Sequence, residues 1–344
     1  MKKTEAGAET KKKPKRIPEK SVRVSMQIIV AIFLFVTVIN IFSPAPIAFV
    51  IRSAFNSPNL SIPRNYSAIE QGVTETRELK YTSIFDDNVA DIFVPNDATE
   101  PLPLIIWVHG GGFVGGNKED VGIYARTLAY QGYVVLAVNY ERAPESTYPS
   151  PVKQLGEVYL WLGELSKTFP IDASRIILAG DSAGAHIVAQ FALIQTNSEY
   201  AAEIGIPPLM PPETLKGLLL FCGPYDVAKI SESGNILSNF FIQRAAWAYF
   251  GVTNWQDVYG DEASIKNHVT QDFPPSFISD ANTFSFEPQG RDLGEALRRQ
   301  GVTVDEYYIP ITTERTDHEY QFIMDTPAGE ESFERMLAFV KEHI

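Results

Sequence analysis

The stretch Arg175–Gln190, RIILAGDSAGAHIVAQ, carries an apolar, β-branched run straight into Gly180-Asp181-Ser182-Ala183-Gly184 and on into a helix-like sequence. A strand that becomes a helix through one tight turn leaves little room for side chains beside the turn, and the two glycines supply that room. The serine between them is driven into a strained backbone conformation, with its hydroxyl projecting from the carboxyl edge of the sheet. The amino terminus of the following helix favours negative charge at the same point. This reading predicts an exposed nucleophile at Ser182. It requires elsewhere in the chain a base to activate the hydroxyl and donors to receive an oxyanion.

Working outward, LPLIIWVHG (102–110) and YVVLAVNY (133–140) are short, continuously apolar runs, as expected for strands covered on both faces. YTSIFDDNVADIFVP (81–95) reads as two strands around an Asp-Asp-Asn turn. Helical spacing appears in 118–133, 151–167, 289–301 and 329–343, with further strands at LKGLLLFCG (215–223), PPSFIS (274–279) and DEYYIP (305–310). Strands alternating with helices predict an α/β fold, a mostly parallel central sheet with helices on both faces. The alternation is interrupted at about 228–273, where NFFIQRAAWAYFG suggests a helical lid insertion over a site.

The base is sought among five histidines. His343 lies at the carboxyl end, His268 in a polar connection, and His186 one turn beyond Ser182, where it is expected to pack beneath the elbow. His318, in RTDHEYQF, follows the last strand and precedes the last helix, so it falls in a loop at the carboxyl edge of the sheet. His318 is therefore the expected base. VHGGGFVGG (108–116) places three glycines directly after a strand, where bare N–H groups can converge on one point. The expected oxyanion hole is formed by the N–H groups of Gly111, Gly112 and Ala183, with His109 holding the loop. A phosphate loop is the competing reading, but no G-K-[ST] follows.

Charge and cysteine content narrow the function. The formal net charge is −13. Residues 1–23 hold nine Lys and Arg against three Glu, or +6, leaving 20 basic against 39 acidic residues, or −19, in the remainder. So acidic a body is a poor match for nucleic acid. The single cysteine, Cys222, excludes an intramolecular disulfide and a cysteine-rich metal site. No metal and no organic cofactor is implied.

The amino terminus stands apart. After the basic tail (1–23), VSMQIIVAIFLFVTVINIF (24–42) is uncharged and close to the ~20 residues that cross a bilayer. Residues 24–43 are read as a transmembrane signal anchor with the basic tail cytoplasmic and residues 44–344 exported. A cleaved signal peptide is the competing reading. Its apolar region is usually shorter, ~7–15 residues, and SPAPIAFV offers only a weak cleavage site.

HGGGF (109–113), NYERAPE (139–145) and GDSAGAH (180–186), in this order, resemble the hormone-sensitive-lipase-like carboxylesterases of the α/β-hydrolase superfamily. The resemblance runs from about Tyr81 to the end. It implies an α/β-hydrolase fold and a serine hydrolase acting on small-molecule esters of short or medium acyl chains. In NYERAPE, Arg142 and Glu145 are expected to form a structural pair. The family keeps its catalytic acid just after the penultimate strand, but PPSFISDANTFSFEPQG (274–290) has Phe284 in that register, with Asp280 four positions early and Glu287 three late. Asp280, at a strand end, is the expected acid. Glu287, Asn282, Asp317 and an acid-free dyad are the alternatives. A peptidase or amidase on the same fold and a non-catalytic surface binding module are the competing functions.

Overall fold

The computed structural model describes residues 26–28, 30, 31, 38–55, 61–232 and 236–344. Its eight strands form one sheet in the order β1-β2-β4-β3-β5-β6-β7-β8. These are β1 (Val73–Lys80), β2 (Val89–Pro95), β3 (Leu102–Val108), β4 (Val134–Val138), β5 (Ile171–Asp181), β6 (Leu215–Phe221), β7 (Ser276–Asp280) and β8 (Val304–Tyr308). β1 and β2 pair antiparallel at one edge, β2 joins β4 antiparallel, and every other pairing is parallel.

The continuous apolar runs are explained by burial on both faces. Leu104, Ile106 and Val108 of β3 enter one core, while Ile105 and Trp107 enter the other. In β5, Ile176 and Leu178 oppose Ile177 and Ala179 in the same way. A period of two is therefore present, but both of its phases are apolar.

One expectation is corrected at the sheet edge. The first strand is not in Tyr81–Asp86; it is Val73–Lys80, and the residues between Tyr81 and Asn88 are a loop. β1 is an edge strand whose burial alternates irregularly, with a register shift between Thr76 and Leu79, so its pattern is weak. Tyr81 is drawn out of any strand by packing on Trp161, ring centroids 5.5 Å apart.

The helices relevant to the site are α1 (Ala45–Phe55), α2 (Tyr66–Gly72), α3 (Gly122–Ala129), α4 (Ser150–Leu165), α5 (Ala183–Thr196), α6 (Ser198–Ile204) and α7 (Ile236–Phe250). α5, which begins at the elbow, is buried from Ala183 to Gln195 on all sides. α7 lies in the expected insertion, and α1 packs against it. Sequence reasoning did not give α1 a part in the lid. It is pinned there by Arg52, whose guanidinium donates to Glu145 (2.6 and 2.8 Å), to the Val114 carbonyl (2.6 Å) and to the Ala143 carbonyl (2.8 Å). Arg142 and Glu145 therefore do not pair with each other: Arg142 takes Asp87 at 3.0 Å and the Gly116 carbonyl at 2.8 Å.

The expected transmembrane segment, 24–43, falls partly outside the described residues. Among the described residues no helix is long and apolar enough to cross a membrane.

The elbow depends on close approach of backbones. A Cβ added at Gly184 would lie 2.0 Å from the Val108 carbonyl oxygen, and one at Gly180 would lie 2.5 Å from the Gly184 carbonyl carbon. Neither neighbour is a flexible side chain that could give way. Gly184→Ala is expected to destabilise the fold by about 3 kcal/mol through overpacking. Urea unfolding should register this as a lower midpoint at unchanged slope.

Candidate active site

Ser182 follows the last residue of β5 and has φ 49° and ψ −116°, a left-handed conformation costing a non-glycine residue roughly 1–3 kcal/mol. Its N–H donates to the Phe221 carbonyl at 2.7 Å, which ties the elbow to the end of β6. The hydroxyl stands 3.1 Å from Nε2 of His318.

His318 sits in the loop after β8. Burial lowers its pKa from the ordinary histidine value, and the nearby Asp280 carboxylate opposes that shift. Nδ1 is buried without a hydrogen bond, and a carboxylate oxygen of Asp280 lies within 4.8 Å of a ring nitrogen. Catalytic hydrogen bonds are often long in an empty site and tighten around substrate.

The other acid candidates lie elsewhere. Glu287 is bound by Arg291 at 2.6 Å. Asp317 is exposed and engages Thr283 and Arg315. Asn282 braces the backbone, donating to the Ile309 and Glu314 carbonyls at 2.9 and 2.8 Å. Phe284, in the register of the family acid, is exposed with φ 50°. Asp280, at the end of β7, accepts from the N–H groups of Ala281 (2.7 Å) and Phe286 (2.9 Å). Burial nevertheless raises its pKa to about 6. Cys222, of which sequence offered no sign beyond its singularity, lies within the same 4.8 Å cluster. Its thiol is pushed up by burial and donates to Gln321 at 3.4 Å.

The glycine loop follows β3. Gly111 and Gly112 have φ of 107° and 60°, conformations that favour glycine, and of the two only Gly112 lines the cavity. Gly112, Ala183, Ser182 and His318 all line one cavity of about 450 Å³. The Gly110 N–H is not available to a ligand, because it donates to Asp181 at 2.7 Å. His109 is buried, stacks on Tyr140 at 4.5 Å and donates through Nδ1 to the Gly110 carbonyl, with a pKa lowered to about 3 by burial. It holds the loop. His186 is likewise buried, with Nε2 2.8 Å from the Ala263 carbonyl.

Sequence reasoning passed over two carboxyls. Asp181 is buried under the elbow, accepting from Trp107 Nε1 (2.8 Å) and from Gly110, with the Glu319 carboxyl as an acidic neighbour. Glu319, with φ 64°, brings Oε1 to 3.7 Å from Nε2 of His318. Burial raises both acids, and their mutual repulsion raises Asp181 further. Ionisation of one of two neighbouring carboxyls disfavours ionisation of the other. The only signal available beforehand was that each adjoins a candidate site residue in sequence.

The rest of the cavity wall is mostly apolar, with Ser238 of α7 as its polar member. Val50, Ile51 and Ala54 come from α1, and Phe241, Ile242 and Ala245 from α7. Phe113 of the glycine loop stacks on Tyr249 of α7 with centroids 3.9 Å apart. This arrangement sets the His318 imidazole against the Ser182 hydroxyl in a cavity whose lining is largely apolar.

A profile for the α/β hydrolase fold matches residues 105–314. The carboxylesterase NlhH of Mycobacterium tuberculosis is 28% identical over 277 residues, 78% of this chain and 82% of that protein. Esterase LipI of the same organism is 28% identical over 211 residues, 59% of this chain and 62% of that protein. Among solved structures, esterase B from Lactobacillus rhamnosis has a TM-score of 0.69 at 20% identity, over 87% of this chain and 93% of that one. A thermostable esterase from Pseudomonas putida has a TM-score of 0.64 at 22% identity, over 88% and 90%. With the matched region covering the glycine loop, the elbow and the acid strand, the chain belongs to the hormone-sensitive-lipase-like carboxylesterase family of the α/β-hydrolase superfamily.

Proposed function

We propose that this carboxylic ester hydrolase works through an acyl-enzyme on Ser182 and takes esters of short to medium acyl chains. The observation that carries the reading is the 3.1 Å approach of His318 Nε2 to Ser182 Oγ at the floor of an apolar cavity. Ser182 attacks the ester carbonyl while His318 takes its proton. The oxyanion is received by the N–H groups of Gly111, Gly112 and Ala183. His318 then returns the proton to the departing alcohol, and a water repeats the sequence on the acyl-enzyme. Asp280 orients the imidazole and stabilises its protonated form. The cavity of about 450 Å³ lies within the range usual for small-molecule sites, ~300–1,000 Å³. The uncharged segment 24–43 is read as a single-pass anchor, with the catalytic domain on the extracytoplasmic side.

A fluorophosphonate probe is expected to label the wild-type protein and to leave Ser182→Ala unlabelled; equal labelling would remove Ser182 as nucleophile. For the acid, Asp280→Asn should lower kcat by about 10⁴-fold by leaving the imidazole in the wrong tautomer. Glu287→Gln, on the surface, should stay within about 2-fold. Comparable losses in the two variants would reverse the assignment.

The base must be neutral and its acid ionised, and the two titrate as one unit. With Asp280 pushed up to about 6, kcat/KM should rise with pH through about 6 and level off above it. The second carboxyl pair acts on stability with the opposite pH dependence. Glu319 is raised from 4.5 to about 7, so the fold favours its protonated form and loses stability as pH rises between those values. Glu319→Gln keeps a hydrogen-bonding group without that loss. Its Tm, relative to wild type, should be higher by about 3 °C at pH 8 than at pH 5, measured calorimetrically.

A further inference from the structure

We infer that the mouth of the cavity is built to lie on a lipid bilayer, so that acyl esters dissolved in the membrane enter the site without crossing water. The inference rests on the reading of 24–43 as an anchor, and the geometry joins that anchor to the site. Helix α1, which gives Val50, Ile51 and Ala54 to the cavity wall, starts at Ala45, three residues after the uncharged stretch ends at Phe42. Both ends of this junction are fastened to the catalytic body. The Asn40 carbonyl accepts from Arg244 of α7 at 2.5 Å, and Arg52 holds the other end at Glu145 and Val114. Residues 38–42 therefore lie beside the lid helix. They cannot swing to another face without breaking these contacts.

Exposed apolar side chains occur on both helices at that exit, with the Arg52 and Arg244 guanidinium groups over the Phe49 and Phe240 rings. Val50 and Phe284 line the cavity and are also open to solvent, which places them at its mouth. Phe49 on α1, and Ile236 and Phe240 on α7, are exposed beside them, Ile236 at 92%. Ile236 and Phe240 are four residues apart and share one face of α7. Large exposed apolar side chains gathered round a cavity mark a surface that meets an apolar partner. Chain order identifies the partner. From Phe42 to Val50 is eight residues, of which Ala45–Val50 are helical and rise ~9 Å, while the polar layer of one leaflet is about 5–7 Å deep. With Phe42 at the hydrocarbon boundary, a tilt of α1 toward the membrane plane sets Val50 and the mouth within the headgroup layer.

The test uses the full chain in vesicles of phosphatidylcholine and phosphatidylglycerol. Ile236→Cys carries an environment-sensitive fluorophore, and Leu160→Cys, on α4, is the exposed control. Cys222 is buried and protonated and does not compete for the dye. The label at 236 is expected to be quenched by doxyl lipids and shielded from aqueous iodide, with the reverse at 160. Iodide quenching at both positions overturns the inference, and so does shielding at 236 from both quenchers, which would mean that a second copy covers the face. Alkaline carbonate extraction separates this from failure of the anchor: protein kept in the membrane with 236 open to iodide defeats the docking alone, whereas release by carbonate defeats both. A functional arm uses the double variant Ile236→Glu, Phe240→Glu, neither residue lining the cavity. Hydrolysis of p-nitrophenyl decanoate dissolved in the vesicles should fall about 10-fold, with p-nitrophenyl acetate added to the water within about 2-fold. Equal changes for the two esters would overturn the proposal.

Discussion

The approach of Gly184 to the Val108 carbonyl is the constraint on which the rest of the structure depends. It lets α5 begin immediately under the end of β3, so β5 must turn within one residue, and Ser182 absorbs that turn at φ 49°. The strain, roughly 1–3 kcal/mol, is tolerated because α5 is buried along almost its whole length and cannot relax by sliding outward. Other parts of the site are set from the same turn. Ser182 takes its N–H bond from the end of β6, and Asp181, one residue earlier, fixes Gly110 at the head of the glycine loop. Ser182 and the glycine loop are thus referenced to one short run of backbone rather than to separate loops.

Three buried carboxyls around this turn behave differently because their partners differ. Asp280 has two backbone donors and an imidazole that can become positive, so its ionised form is useful and only moderately disfavoured. Asp181 has two donors, Trp107 and Gly110, but no cation. Its neighbour Glu319 adds a like charge, and both acids are raised. The rise disfavours a full negative charge close to His318, whose Nε2 lies 3.7 Å from Glu319. A second full carboxylate there would favour imidazolium before substrate arrives, which would take away the base.

What could be read in the sequence was whatever a short window contains. The elbow, the glycine loop and His318 in its post-strand loop are local patterns with local causes. The paired-phase burial of β3 and β5 likewise appears as unbroken apolar runs. β1 was misplaced because an edge strand with one weakly buried face has little periodicity, and Tyr81 is held by a contact with Trp161 across 80 positions. Arg142 and Glu145 look like a pair at a separation of three, but the fold supplies each with a distant partner, Asp87 and Arg52. The Asp181–Glu319 pair spans 138 positions and neither residue belongs to a motif that predicts the other. Asp280 was ambiguous for a related reason: the residues after β7 do not follow the family spacing, and only the folded loop separates it from Glu287.

The contribution of α1 shows how an attachment becomes part of a site. Arg52 donates to the carbonyl of Val114, which lies one residue beyond Phe113, and Phe113 stacks on Tyr249 of the lid. The same arginine reaches Glu145 in the NYERAPE segment. One side chain from the amino-terminal helix therefore joins the end of the glycine loop to the body, while Val50, Ile51 and Ala54 on the same helix close the cavity beside α7. A displacement of α1 would change the cavity wall and the support of the oxyanion loop together, because the two are mechanically one element.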